Sequence, residues 1–142
     1  MSFVYKYPRP AITVDTIVIA PRNQEMLILL IKRKEYPFQG SWALPGGFIN
    51  MDELLIDAAA RELEEETSIS GVKLKQFYTF DAILRDPRQR IISTVFHGEL
   101  SEPVPVKGMD DALEAKWFPI ISLPEMAFDH KEIIQKFVRE QL

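Results

Sequence analysis

Two apolar runs near the N-terminus, AITVDTIVIA at 11–20 and MLILLIKRK at 26–34, constrain this chain more than any other feature. Both are rich in β-branched and aliphatic residues, and the turn-forming PRNQE separates them. That pattern predicts two buried strands. Further strands are expected over 72–84, 91–100 and 114–120, with turns at Ser70-Gly71, Asp86-Pro87 and Gly108. Between the first pair and the rest lies EYPFQGSWALPGG, whose prolines and glycines at 37, 40, 45, 46 and 47 argue against any regular element there. Two helices complete the pattern. One begins near Asp52 or Glu53, and the other is HKEIIQKFVREQL at the C-terminus, with Asp129 as its expected N-cap. Mixed strands with one central and one terminal helix predict an α/β fold whose sheet is covered on both faces.

The central helix carries an electrostatic problem. Glu62, Glu64, Glu65 and Glu66 crowd its C-terminal end, where the backbone carbonyls already form the negative pole of the helix dipole. At about 100° of rotation per residue, Glu53, Asp57, Arg61 and Glu64 share one polar stripe, an ordinary solvated face. Glu62, Glu65 and Glu66 fall on another arc, interleaved with Leu55, Ala58 and Ala59 on the side that should face protein. The Glu62–Glu66 repulsion costs about 0.2–0.5 kcal/mol, and the helix terminus adds roughly 0.3–1 kcal/mol per charge. Arg61 is expected to offset only part of this. A hard divalent cation would offset the rest, and Mg²⁺ is the natural candidate, being held by a few carboxylates with waters and substrate phosphates. Pro45-Gly46-Gly47, just before the helix, supplies backbone that can approach such an ion or a phosphate closely.

The whole chain bounds the chemistry around that helix. Its 142 residues amount to about one domain. The composition, 46% hydrophobic and 27% charged, is that of an ordinary globular chain. There is no stretch long enough to span a bilayer, no secretory leader in MSFVYKYPRP, and no cysteine for disulfides or thiolate metal sites. A cytoplasmic protein is expected, with no membrane partner. The net charge of −4 and the absence of a long basic run disfavour a nucleic-acid partner and point to a small-molecule substrate.

The stretch from Gly47 through Glu53, Arg61, Glu62, Leu63, Glu65 and Glu66 to Ile69 resembles the Nudix box, G-x5-E-x7-R-E-U-x-E-E-x-G-U, where U is aliphatic. The resemblance implies one Nudix hydrolase domain over 1–142, folded as an α/β/α sandwich with a mixed β-sheet between helices. It implies metal-dependent attack of water on the pyrophosphate of a nucleoside diphosphate linked to a further group. Carried over by position, Glu62, Glu65 and Glu66 would be metal ligands together with the Gly46 carbonyl. Glu53 and Arg61 would support them, Mg²⁺ would be the ion and Mn²⁺ an alternative. One departure stands out: Ser68 occupies the place of the box glycine, where a left-handed helix cap would cost a non-glycine residue roughly 1–2 kcal/mol. Gly71 is a substitute cap.

Outside the box, "WALPGGF", "RDPRQR", "DDALEAKWF" and "LPEMAFDH" are similar to the ADP-ribose pyrophosphatase branch and its NAD-linked regulatory relatives. Arg85, Arg88 and Arg90 around a proline turn, and Arg33 at a strand end, carry forked guanidiniums suited to phosphate. Phe38 and Trp42 are candidates to stack on adenine, with core packing or a dimer contact as the other roles open to them. Among Asp110, Asp111 and Glu114, one is expected to act as a general base or extra ligand. His97 and His130 are expected to be structural. The leading functional expectation is hydrolysis of ADP-ribose or a related ADP-sugar to AMP and a sugar phosphate. The alternatives are an oxidised nucleoside triphosphate as substrate, or a module that senses ADP-ribose without cleaving it. The chain ends about one helix after the presumed catalytic domain, which leaves no room for an added DNA-binding domain. Relatives often pair into dimers, and the apolar N-terminal segment could serve that purpose.

Overall fold

A computed structural model describes residues 2–108 and 112–142. A seven-stranded mixed sheet runs through it, built from β1 (Ala11–Arg22), β2 (Glu25–Arg33), β3 (Trp42–Ala43), β4 (Gly46–Phe48), β5 (Lys75–Phe80), β6 (Ile91–Glu99) and β7 (Ala112–Pro119). The helices are α1 (Leu55–Thr67) and α2 (His130–Gln141). β1 organises the sheet. Parallel β6 pairs with it from Ala11 to Ile19, while antiparallel β4 takes Thr13–Asp15 and antiparallel β2 takes Ile19–Arg22. β2 in turn pairs with β7 along its length and with β3 at its end.

β1 is buried on both faces, which is why its sequence reads as a continuous apolar run. The pleat sends successive side chains to opposite sides. Val14 and Val18 pack towards α1, in clusters with Ala58, Ala59 and Leu63. Ile17 and Ile19 face α2, clustered with Ile133, Ile134 and Phe137. Each of these large buried side chains contributes roughly 1.5–3 kcal/mol. Phe137 anchors α2, and truncating it to alanine would cost about 3–5 kcal/mol. The same pleat puts Asp15 on the α2 side of the sheet.

The elements differ from the sequence expectation in several places, each with a local cause. The proline- and glycine-rich segment holds two short strands after all: Trp42 and Ala43 pair with Lys32 and Ile31, and Gly46–Phe48 pair with Asp15–Thr13. A two- or three-residue strand exists because of its partner, and no local periodicity announces it. α1 starts at Leu55, later than Asp52 or Glu53, because the Leu54 backbone is extended (φ −73°, ψ 155°); ahead of it the Glu53 carboxylate accepts hydrogen bonds from the Asn50 amide and from Arg61. Asp129 precedes α2 but makes no capping bond, since its carboxylate receives Arg85 instead. Ser68 itself adopts the left-handed conformation (φ 67°) and its N–H bonds the Glu64 carbonyl at 2.9 Å, so Gly71 does not cap the helix. Among the described residues no helix is long and apolar enough to cross a membrane.

Candidate active site

The Leu44–Gly47 turn is fixed from several directions. The Leu44 N–H donates to Nδ1 of the buried His130 at 3.0 Å. The Pro45 carbonyl accepts both the Thr16 N–H at 2.8 Å and the Thr16 hydroxyl at 3.2 Å. Gly46 pairs with Asp15 in the sheet, and its N–H donates to Glu66 Oε1 at 2.7 Å. Close approach explains both glycines. A Cβ on Gly46 would lie 2.2 Å from the Val14 carbonyl oxygen, and one on Gly47 would lie 2.7 Å from the Glu62 carboxylate. The turn therefore rests directly on β1 beneath it and on the Glu62 and Glu66 carboxylates of α1.

Arg61 joins the acidic groups. Its Nε and Nη2 form a fork to Glu53, at 3.0 and 2.6 Å, while Nη1 donates to Glu62 at 2.9 Å and to Glu65 at 3.2 Å. Its Nη2 also reaches the Phe48 carbonyl at 3.2 Å. The hydrogen bond from Arg61, and then the Asn50 amide, hold the Glu53 carboxyl below its ordinary range. Glu53, more than any other partner, holds Arg61 firmly protonated. Arg61 is more than the partial counter-charge on a solvated stripe expected from the sequence: it is half-buried and bonded to three carboxylates. Glu66 is buried and Glu62 nearly so, as their arc predicts, whereas Glu65 is 45% exposed at the helix end.

A cleft of about 200 Å³ opens over the turn, lined by Gly46, Gly47 and Glu66 and also by Arg33, Arg85, Arg88, Phe48 and Phe128. The Arg85 side chain, only 4% exposed, makes a forked pair with Asp129 at 2.9 and 2.8 Å. Arg88 makes a similar fork to the buried Asp86. Burial acts to raise the Asp86 pKa, but the Arg88 hydrogen bonds overcome it and hold the carboxyl below its ordinary value. The Arg88 guanidinium lies 5.3 Å from both the Phe48 and Phe128 rings, and that of Arg33 lies 4.8 Å from Phe128. A polyanion entering the cleft would meet guanidiniums already oriented by carboxylates and aromatic faces.

The family model for the NUDIX domain matches residues 9–137. The chain belongs to the Nudix family. It is 41% identical over 138 residues to an ADP-ribose pyrophosphatase of Methanocaldococcus jannaschii, covering 94% of this chain and 76% of that protein. Among solved structures, the NUDIX domain of Shewanella oneidensis NrtR complexed with ADP ribose is similar with a TM-score of 0.87 and 27% identity, covering 96% of this chain and 91% of that one. A bifunctional NMN adenylyltransferase/ADP ribose pyrophosphatase from Francisella tularensis, complexed with AMP and a Mn ion, gives a TM-score of 0.82 and 33% identity. The match covers 96% of this chain but 43% of that longer one.

Within this Nudix domain the other expected site residues are distributed unevenly. Arg90 donates to the carbonyls of Asp81 and Ala82 and does not line the cleft. Trp42 packs on Phe118 with ring centroids 4.7 Å apart, a core contact in place of an adenine platform. Phe38 is exposed, sits edge-on to Phe128 at 4.9 Å and is not among the cleft-lining residues. Glu114 on β7 lies 3.9 Å from Lys32 of β2, also outside the lining, and Asp110 and Asp111 fall outside the described residues. Aromatic surface in the cleft comes instead from Tyr36, Phe48 and Phe128. Asp15 and Asp86 are further acidic members missed in the sequence. Asp15 had a signal: a lone acid inside an apolar strand must find a partner, and it accepts the Ser93 hydroxyl.

Whether these residues suit a divalent ion is a matter of donor chemistry. Among the described residues no three carboxylate or imidazole side chains form a ready-made cage. Mg²⁺ does not require one, since it keeps several waters and takes one or two carboxylates plus substrate phosphates. Glu66 bonded to the turn and Glu62 packed against it, beside the Gly46 backbone, provide hard oxygens of the required kind.

Proposed function

We propose that this Nudix protein hydrolyses the pyrophosphate bond of ADP-ribose or a related ADP-sugar, with Mg²⁺, giving AMP and a sugar phosphate. The single observation that carries the reading is the meeting, in one cleft, of the Gly46–Gly47 turn and Glu66 with Arg33, Arg85 and Arg88. An electronegative pole for a cation beside an array of guanidiniums is what a diphosphate bridging the two requires. The 41% identity to an ADP-ribose pyrophosphatase supports the choice of substrate.

In this mechanism Glu62, Glu65, Glu66 and the Gly46 carbonyl would hold the metal, and Mn²⁺ could use the same oxygens. When bound, the ion neutralises the pyrophosphate and acidifies the attacking water. Glu53 and Arg61 orient the ligand carboxylates through their hydrogen bonds. Arg33, Arg85 and Arg88 bind the phosphate oxygens and hold phosphorus in line for attack. Glu65, the most exposed of the four box carboxylates, would accept the proton of the attacking water. Asp111 or Glu114 would be a second source of a base. No covalent intermediate is needed. A homodimer formed through the exposed Phe3, Val4, Tyr5 and Tyr7, and a cytoplasmic location, belong to the same proposal.

A panel of ADP-ribose, other nucleoside diphosphate sugars and 8-oxo-dGTP, incubated with Mg²⁺ and assayed for nucleoside monophosphate, tests it. AMP from ADP-ribose is the expected product. Preferential turnover of 8-oxo-dGTP would reassign the substrate to oxidised triphosphates. Tight calorimetric binding of ADP-ribose without product would make the protein a sensor.

A further inference from the structure

His130 opens α2, on the opposite side of the sheet from α1, and its side chain is buried. Its Nδ1 accepts the Leu44 N–H at 3.0 Å, a contact spanning 86 residues of sequence. An imidazole that accepts at Nδ1 carries its proton at Nε2. Nε2 faces Asp15 Oδ1 at 3.7 Å, and the other Asp15 oxygen receives the Ser93 hydroxyl. A brace of four residues thus runs from β6 through β1 and α2 to the turn.

The turn has other holds as well: Gly46–Phe48 pair with β1 and Trp42–Ala43 with β2, on either side of Leu44. Thr16 takes the Pro45 carbonyl, and Glu66 takes the Gly46 N–H. The Leu44 amide is tied to neither β1 nor α1, and His130 is its partner. Asp15 also forms the floor beneath Gly46, since a Cβ there would lie 2.4 Å from Asp15 Oδ1. Leu44 stands two residues before Gly46, whose N–H donates to Glu66.

We infer that His130 is a positioning residue for the hydrolysis: acting through the Leu44 amide, it sets the Gly46 carbonyl and the Glu66 carboxylate at the spacing that one divalent ion requires. This rests on the proposed metal-dependent reading. It assigns His130 no contact with substrate and no proton transfer.

A comparison of two polar variants of the full chain tests it. In His130→Asn the side-chain oxygen reproduces the Nδ1 acceptor, whereas in His130→Gln it reaches the Nε2 end. A residue that merely fills the core would not distinguish them in this direction. Mn²⁺ affinity of the substrate-free protein is read by electron paramagnetic resonance, kcat and KM with ADP-ribose and Mg²⁺, and folding by thermal melts. His130→Asn is expected to stay within about threefold of wild type in Mn²⁺ Kd and kcat. His130→Gln is expected to weaken Mn²⁺ binding about tenfold and to lower kcat by a similar factor with KM little changed, the scale of removing a ligand's supporting hydrogen bond.

Equal Mn²⁺ affinities in the two folded variants would overturn the inference. So would a wild-type protein that binds no Mn²⁺. His130→Leu, which lacks any acceptor, is a second arm: retained Mn²⁺ affinity in a folded His130→Leu would also overturn it. If wild type binds Mn²⁺ but does not cleave ADP-ribose, the substrate assignment fails and the Mn²⁺ comparison still decides the role of His130.

Discussion

Arg61 grips Glu53 through a fork, Nε to one carboxylate oxygen at 3.0 Å and Nη2 to the other at 2.6 Å, and still has Nη1 for Glu62 and Glu65. A single guanidinium thereby sets the orientation of two proposed metal ligands. Lysine would keep the charge but could not make planar forked contacts. Arg61→Lys is expected to lower kcat for ADP-ribose by roughly 10–100-fold while changing stability by less than about 1 kcal/mol. Steady-state kinetics beside urea denaturation checks this, and a lysine variant with full activity would remove Arg61 from the supporting role.

The arginines of the 81–90 loop separate by geometry. Arg88 lines the cleft between two phenyl rings, whereas Arg90 is turned to backbone carbonyls outside it. Arg88→Ala is expected to raise KM about tenfold, equivalent to about 1.4 kcal/mol of lost binding, and Arg90→Ala to leave KM within about twofold. The reverse order in initial-rate measurements would mean that the loop rearranges around substrate.

Much of this site was legible in the sequence, for identifiable reasons. β1 and β2 announced themselves because burial on two faces leaves unbroken apolar runs. Glu62 and Glu66 stood out because helical spacing is a local property, and α1 keeps it. β3 and β4 were not legible, since their pairing partners lie elsewhere in the chain. The Arg85–Asp129 fork was hidden for the same reason, and it took away the cap expected for α2. Trp42 and Phe118 show the limit of reading aromatics: a loop tryptophan looks like a ligand platform until a ring from β7 is found against it. The role of Arg61 depended on rotamer and reach, which an angular plot of the helix does not contain.

Ser68 holds the left-handed cap conformation at φ 67°, where a Cβ is strained. Ser68→Gly is expected to stabilise the protein by about 1 kcal/mol with no change in kcat. Chemical denaturation measures the difference. A destabilised glycine variant would mean that side-chain contacts of Ser68 outweigh the backbone strain.

The histidines give stability a pH dependence of known sign. Burial pushes the His130 pKa below its ordinary 6.5, and the opposing pull of Asp15 and Asp129 is itself countered by Arg85 and Arg33. His97 is also lowered, first by burial and then by Lys75. Below pH 6.5 the unfolded chain takes up protons that the folded one refuses, so stability should fall as pH drops from 6.5 towards the folded values, and be fully present above 6.5. The His130→Asn variant should lose part of that slope between pH 6.5 and 5 and keep the part due to His97. Denaturation midpoints across this window test the point, and an unchanged slope would show that His130 titrates normally.

Gly46 and Gly47 are adjacent in sequence but face different neighbours, which allows fold and chemistry to be separated. A Cβ on Gly46 would meet backbone, the Val14 carbonyl at 2.2 Å and the Asp15 Cα at 2.9 Å, neither of which can yield without moving β1. A Cβ on Gly47 would first meet the Glu62 carboxylate, at 2.7 Å, the far end of a flexible side chain. Gly46→Ala is therefore expected to destabilise by about 1–3 kcal/mol through overpacking. Gly47→Ala should fold nearly as well as wild type while swinging Glu62 away from the turn, because the carboxylate can relieve the contact by rotating. Its signature would be a near-native melting temperature with kcat reduced at least tenfold and Mn²⁺ binding weakened in parallel. If Gly47→Ala kept both its melting temperature and its activity, the Glu62 carboxylate would not need its place against the turn, and the ligand set would have to be drawn from Glu65 and Glu66 without it.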